Sequence, residues 1–216
     1  MVLKLGYWKI RGLAHQLRLY LTFLNVDYEE ELYERGENDA GKWLTVKYQL
    51  GYDFPNLPYL QDGDHKITET HAIVMYIMNK YDKSLNDETK SKIFMTYLIL
   101  NDIRWKFVAC AYNPNFDQLS KEFFAKLPDL LKPVESYLEK NEWLSGAQVN
   151  FADFVGFDLF TVLKAASPEA FNNFPKCKAI IDKVAKLPQL ENFLKSDMHT
   201  KLAFNNTIAS WGNKPM

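Results

Sequence analysis

The chain has 216 residues, 47% of them apolar and 25% charged, so it is long enough to bury a core without disulfides or a structural metal. Nine Gly and nine Pro exclude a collagen-like or low-complexity chain, and 26 basic against 27 acidic residues leave a net charge of -1. So even a balance argues against a general nucleic-acid binder or a polybasic membrane binder.

The first eighty residues mix two periodicities. Val2 to Ile10 reads as a strand, with Leu3, Leu5 and Tyr7 alternating against Lys4 and Gly6. Gly12 marks a turn, and Ala14 to Leu24 changes to helical spacing with Leu17, Tyr20, Leu21 and Leu24 on one face. Val26 to Tyr33 alternates again, which gives β-α-β and predicts a parallel strand pair. Glu34 to Lys42 reads as a polar loop. Short extended runs on either side of Asp62-Gly63-Asp64 predict a hairpin, with Pro58 at a strand start or edge because proline cannot donate to a ladder. A helix is predicted from Thr70 to about Lys80.

After Tyr81 the pattern is helical throughout. Asp82 to Glu88 is a polar linker, and Ile93 to Ala111, Gln118 to Lys140, Ala152 to Ala166 and Cys177 to Leu187 carry helical spacing. Pro128 and Pro133 are expected to kink or interrupt the second of these. Asn150 with Asp153 three residues on is a helix-start signature: the amide caps the helix and the acid returns a bond to the cap.

Chemistry-bearing signals are few. Cys110 and Cys177 sit in no CxxC or Cys/His ligand spacing, and the four histidines show none either, so no metal site is expected. No signal-peptide layout opens the chain, and the longest apolar run, Ala72 to Met78, falls far short of the roughly 20 residues that span a bilayer. A reducing cytoplasm with two free thiols and no membrane partner is the simplest reading. Tyr7-Trp8 closes the first strand, so Tyr7 is either a core residue or a hydroxyl donor at a strand's carboxyl end, where α/β sheets place ligands. Asn56-Leu57-Pro58 is a trans strand start or a cis turn that exposes the Leu57 backbone to an extended peptide. Glu69-Thr70 is a plain helix cap or an anion site at a helix start. Trp43 and Lys47 would share a helix face, the lysine either solvated or holding a carboxylate. Asp102-Ile103-Arg104 is a solvated helix face or part of a site.

No one of these signals is specific, but their order is. Leu5-Gly6-Tyr7-Trp8-Lys9-Ile10-Arg11-Gly12-Leu13, Asp53-Phe54-Pro55-Asn56-Leu57-Pro58-Tyr59 and Ile67-Thr68-Glu69-Thr70-His71-Ala72-Ile73 together resemble a cytosolic glutathione transferase. Ala111-Tyr112-Asn113-Pro114 and the closing Trp211-Gly212-Asn213-Lys214 resemble the mu class in particular. The resemblance covers essentially the whole chain. It implies an α/β thioredoxin-like N-terminal domain (1–82), an all-α C-terminal domain (89–216) that takes the electrophile, a homodimer, and a cis bond before Pro58.

The activity implied is attack of the glutathione thiolate on an apolar electrophile, with glutathione as co-substrate and no cofactor. By position, Tyr7 matches the catalytic tyrosine. Trp8 and Leu13 match walls of the glutathione site, Trp43 and Lys47 the glycyl carboxylate contacts, and Leu57, beside Asn56 and Pro58, the backbone that pairs with the cysteinyl unit. Glu69 and Thr70 match the γ-glutamyl contacts, and Asp102 an acid supplied by the partner subunit. Tyr112 and Arg104 fall on the electrophile side. Five positions bear on affinity and assembly: Glu69-Thr70 stands where the mu class usually has Gln-Ser, Ala40 where many members have a carboxylate-binding arginine, and Met75 where an interface arginine is common; Phe54 matches an aromatic key that docks between helices of the other subunit. The alternative is a catalytically weak relative that carries apolar ligands.

Overall fold

The computed structural model describes residues 2–36 and 41–215. Two compact units emerge: Met1–Leu85 together with Asn192–Met216, and Asn86–Glu191. The expected division at residues 82 and 89 assigns the last stretch to the helical half, whereas from Asn192 onward the chain packs into the first unit.

The first unit is built on four strands in the order β2-β1-β3-β4. They are β1 (Leu3–Trp8), β2 (Tyr28–Tyr33), β3 (Tyr59–Asp62) and β4 (His65–Thr68), with α1 (Ala14–Phe23), α2 (Lys42–Val46) and α3 (Thr70–Tyr81) between or after them. β1 and β2 are parallel, as the β-α-β order predicts, and β1–β3 and β3–β4 are antiparallel. β1 is an inner strand, which is why Leu3, Leu5 and Tyr7 are all buried. Leu17, Leu19, Tyr20 and Leu21 of α1 and Ile73, Val74 and Ile77 of α3 complete this core. Each such side chain contributes about 1.5–3 kcal/mol by leaving water. β2 is an edge strand, and Glu29, Glu30 and Glu31 on it discourage further pairing. Gly63 takes φ +62° in the two-residue β3–β4 hairpin, a conformation that favours glycine.

Asp62, at the end of β3, is a fixed charge in this unit. Burial works to raise its carboxyl, but hydrogen bonds from Lys80, from the Tyr81 hydroxyl at 2.7 Å and from the Tyr76 hydroxyl at 2.9 Å, with the Lys80 charge, outweigh it and hold the group at about 2.

The second unit is helical: α4 (Asp87–Ala111), α5 (Phe116–Lys140), α6 (Phe151–Ala166), α7 (Pro168–Phe171) and α8 (Pro175–Ala185). α4 starts six residues before the sequence reading places it, because its first turns are polar; Asn86 caps it by accepting the Thr89 N–H at 2.8 Å. α5 runs unbroken through Pro128 and Pro133, against expectation. An interior proline costs a helix about 3 kcal/mol. Both prolines are exposed, so the carbonyls they orphan face water, while Phe123, Leu127, Leu131, Val134 and Leu138 form a buried stripe along the whole helix. Burial of that stripe exceeds the cost of the two prolines.

At the start of α6 the capping box is complete. The fully buried Asp153 accepts backbone N–H bonds from Leu144 at 2.7 Å, Ser145 at 3.3 Å and Asn150 at 3.0 Å, and Asn150 Oδ1 accepts the Phe151 N–H at 2.8 Å. Burial raises this carboxyl to about 6 in spite of those bonds. Cys110 and Cys177 are both unbridged. No helix among the described residues is long and apolar enough to cross a membrane.

Candidate active site

Sheet register gathers the sequence-predicted residues at one end of the first unit. Gly6 of β1 lies opposite Tyr59 of β3, and Tyr59 lies opposite Thr68 of β4. The next residues off that row are therefore Tyr7, Pro58 and Glu69, which come from three distant stretches of sequence. Trp8 pairs with Tyr33 of β2 at the same end. A side chain on Gly6 would collide with the Tyr59 ring, whose carbons lie 2.1–2.6 Å from the place of its Cβ. Gly6 therefore lets Tyr59 cross the sheet, and Tyr59 fixes the entry of β3.

Tyr7 is buried, and its hydroxyl oxygen accepts the Leu13 N–H at 3.0 Å. That bond uses a lone pair and not the hydroxyl proton. The β1–α1 loop is shaped to this phenol. Gly12 takes φ +43°, and a Cβ there would sit 2.7 Å from both Cε1 and the hydroxyl oxygen of Tyr7. Arg18, fully buried on α1, braces the loop from below: it donates to the Ile10 carbonyl at 2.8 Å and pairs with Glu30 of β2 at 2.6 Å.

Trp43 is buried on α2 in an aromatic cluster, edge-on to Tyr33 at 5.2 Å and stacked near Tyr59 at 6.3 Å between centroids. The Tyr33 and Tyr59 hydroxyls bond each other at 3.0 Å, and burial is the main cause that holds both phenols above their ordinary range. Lys47 closes α2 with its N–H on the Trp43 carbonyl at 2.9 Å, and its ammonium lies 5.9 Å from the centre of the Trp43 ring. The shared face expected of Trp43 and Lys47 is thus present. Trp8 is half-buried and faces the Arg35 guanidinium at 6.0 Å. Ala40 lies outside the described residues.

Leu57–Pro58 is a cis peptide bond. Asn56 bridges two expected site residues: its Nδ2 donates to Glu69 Oε1 at 2.9 Å, and its Oδ1 accepts the Leu57 N–H at 2.9 Å. The Leu57 amide therefore already has an acceptor inside the protein. Glu69 adopts φ +68°, uncommon for a residue with a Cβ, as the cap of α3. Behind it the buried Thr70 hydroxyl has no hydrogen-bond partner among the described residues. A buried polar atom left this way is costly unless something else bonds it, and this one stands at a helix start, where N–H groups and the dipole favour anions.

Asp102, Arg104 and Tyr112 belong to the other unit. Asp102 is exposed on α4, and Tyr112 caps its C-terminus with the N–H on the Val108 carbonyl at 3.0 Å. Arg104, which the resemblance places on the electrophile side, lies in the packed interior of the helical unit. It is 6% exposed, and its guanidinium donates to Asp158 of α6 at 2.7 Å. A cation with so little exposure needs its partner, which makes Arg104 a core ion pair of the helical unit. Phe54 is 80% exposed, with its carbonyl held by the Thr68 hydroxyl at 2.7 Å, and Met75 is exposed on α3. The sequence marked Gly12 only as a turn and gave Tyr33 and Tyr59 no role at the site; Gly6, which leaves room for the Tyr59 ring, was the one signal for Tyr59.

Comparison with known proteins accounts for both units. The model of the glutathione S-transferase N-terminal domain matches residues 3–79, and that of the C-terminal domain matches residues 101–197. Human glutathione S-transferase Mu 3 is 37% identical over 216 residues, 98% of this chain and 96% of that protein. Glutathione S-transferase Mu 5 of Mus musculus is 38% identical over 214 residues, 97% of this chain and 96% of that protein. Among solved structures, that of the glutathione S-transferase Blo t 8 has a TM-score of 0.86 at 28% identity, covering 97% of this chain and 99% of the other. With both domains matched and mu-class enzymes aligned nearly end to end, the chain belongs to the glutathione S-transferases, mu class, and is an enzyme that transfers groups to glutathione.

Proposed function

We propose that this enzyme joins the glutathione thiolate to apolar electrophiles and that Tyr7 stabilises the thiolate. The observation that carries this reading is the buried Tyr7 hydroxyl at the carboxyl end of β1, whose oxygen accepts the Leu13 N–H at 3.0 Å. An unperturbed thiol, with a pKa of about 8.5, is only a few per cent ionised near pH 7. Lowering it by about two units takes roughly 2.7 kcal/mol, and one hydrogen bond to a charged group supplies about 1.5–3 kcal/mol. The thiolate then attacks the electrophilic carbon, a C–S bond forms, and the leaving group departs with the electron pair or, in an addition, a proton completes the product.

The rest of the peptide would be held at the same end of the sheet. Trp8 and Leu13 flank the sulfur, and Trp43 and Lys47 take the glycyl carboxylate. The Leu57 backbone beside Pro58 pairs with the cysteinyl unit. To do so through its N–H it must exchange the Asn56 Oδ1 bond, so Asn56 acts as a place-holder there. Glu69 and Thr70 bind the γ-glutamyl end, which gives the unpartnered Thr70 hydroxyl a bond. In a homodimer keyed by Phe54, the partner subunit's Asp102 completes that end, and Tyr112 serves the electrophile. A cytoplasmic location fits such a substrate pair.

Tyr7→Phe tests this reading. Glutathione conjugation to an aryl halide, followed across pH, is expected to lose about a hundredfold in rate at pH 6.5 while a calorimetric titration still finds glutathione bound. Wild-type turnover in that variant would remove Tyr7 from the role. A wild type that binds glutathione and turns nothing over would instead indicate a carrier. Asp102→Ala is expected to weaken glutathione binding, and an unchanged affinity would take Asp102 out of the site.

A further inference from the structure

The β1–α1 loop carries the N–H that orients Tyr7, and it has no strand beside it. Its two successive amides are instead satisfied by the far end of the chain. Arg11 N–H donates to the Ala203 carbonyl at 2.8 Å, and Gly12 N–H donates to the Phe204 carbonyl at 3.1 Å. The Arg11 guanidinium reaches the His199 carbonyl, its Nε at 3.2 Å, and lies over the Phe204 ring at 4.9 Å. One helical turn on, the fully buried His15 meets the His199 imidazole, Nε2 to Nδ1 at 3.0 Å, beside Phe193. The tail is itself folded to present these groups. Phe204 stacks on Trp211 at 5.9 Å, and Asn205 bonds the Gly212 and Trp211 carbonyls at 2.8 Å and 3.0 Å.

We propose that Arg11 and His199 are positioning residues for the thiolate step: they dock the C-terminal tail onto the β1–α1 loop and so hold the Leu13 N–H on the Tyr7 hydroxyl. The proposal rests on the reading of Tyr7 given above. Arg18 fastens the loop on one side through the Ile10 carbonyl, and the tail is the acceptor for its amides on the other. Gly12 lends the loop freedom that these contacts help to remove. Without the tail the Leu13 N–H leaves its line to the phenol, and the hydroxyl is no longer aimed. A misplacement of about 1 Å in a catalytic group is enough to be felt in the rate.

The test is the pH profile of kcat/KM for conjugation, with the ultraviolet titration of the bound glutathione thiol, in wild type, Tyr7→Phe, Arg11→Ala, Arg11→Lys and His199→Ala. Arg11→Ala and His199→Ala are each expected to raise the midpoint by about one unit, an about tenfold loss of rate below it and little loss above it. Arg11→Lys keeps the charge without the planar fork and should fall between. A purely structural role would reduce the active fraction equally at every pH and leave the midpoint in place. Unmoved midpoints in the Arg11 and His199 variants, with a shifted one in Tyr7→Phe, would overturn this proposal and leave the Tyr7 reading standing. An unmoved midpoint in Tyr7→Phe would overturn both. Should Arg11→Ala fail to fold, the half-buried His199 and Phe204→Leu carry the same test.

Discussion

The two units are stabilised in different ways. The helical unit is regular: long helices, a complete capping box at Asp153 and a buried Arg104–Asp158 pair, with Gly146 its one positive-φ residue among the described residues. The thioredoxin-like unit contains the irregular backbone. Gly12, Gly41, Gly51, Gly63, Gly212, Asn25 and Glu69 all have positive φ, and the cis bond before Pro58 is there as well. Three of these features, Gly12, Pro58 and Glu69, adjoin Tyr7 in the fold or come next to it in the sheet register. Regular structure satisfies its own backbone, whereas a site for a peptide needs backbone turned outward. The difference supports the proposal that the first unit reads glutathione.

The comparison predicts that variants in one unit change stability and variants in the other change binding or rate. The largest expected effect is Asp153→Ala, which leaves three buried N–H groups without their acceptor and should lower unfolding free energy by about 3 kcal/mol in urea titrations, with KM for glutathione unchanged in the folded fraction. Gly12→Ala should cost about tenfold to a hundredfold in kcat/KM with a small change in melting temperature, because the new methyl displaces the Tyr7 hydroxyl. An Ala variant with wild-type rate would break the link between loop and phenol. Thr70→Val keeps the shape and removes the hydroxyl. It should weaken glutathione about tenfold by calorimetry and leave stability level or slightly raised, since the deleted group has no partner among the described residues.

The pH-dependent effects are of opposite sign in the two units. Asp62, held at about 2 when folded against an unfolded value of about 3.9, contributes stability that is present above pH 4 and is lost as pH falls toward 2. Asp153, raised to about 6, keeps its proton longer when folded, so its contribution declines as pH rises from 4 to 6. Unfolding of Asp62→Asn and Asp153→Asn between pH 2 and 7 should therefore flatten two different windows. The same window in both variants would refute the assignment.

Much of the architecture was legible along the chain. The change from period two to helical spacing at Ala14, the Gly63 hairpin and the Asn150–Asp153 cap are local signals, and local signals depend on neighbours within a few residues. The site residues were named by motif order, and the sheet register then brought Tyr7, Pro58 and Glu69 into one row. The burial of Arg104 was not legible, because a charge between apolar neighbours reads the same whether it faces solvent or a partner such as Asp158, 54 residues away.

The sequence by itself determined the elements, their order and the residue types at the site, since these follow from periodicity, turn chemistry and capping over short spans. The tertiary structure decided three other things. It carried α5 through two prolines because burial of a long stripe outweighs two lost bonds. It buried Arg104 on Asp158. It returned the chain from Asn192 to the loop beneath Tyr7, where Ala203 and Phe204 supply acceptors that no nearby residue provides. Each depends on contacts between residues far apart in the chain, whose energies appear only once the fold has brought them together.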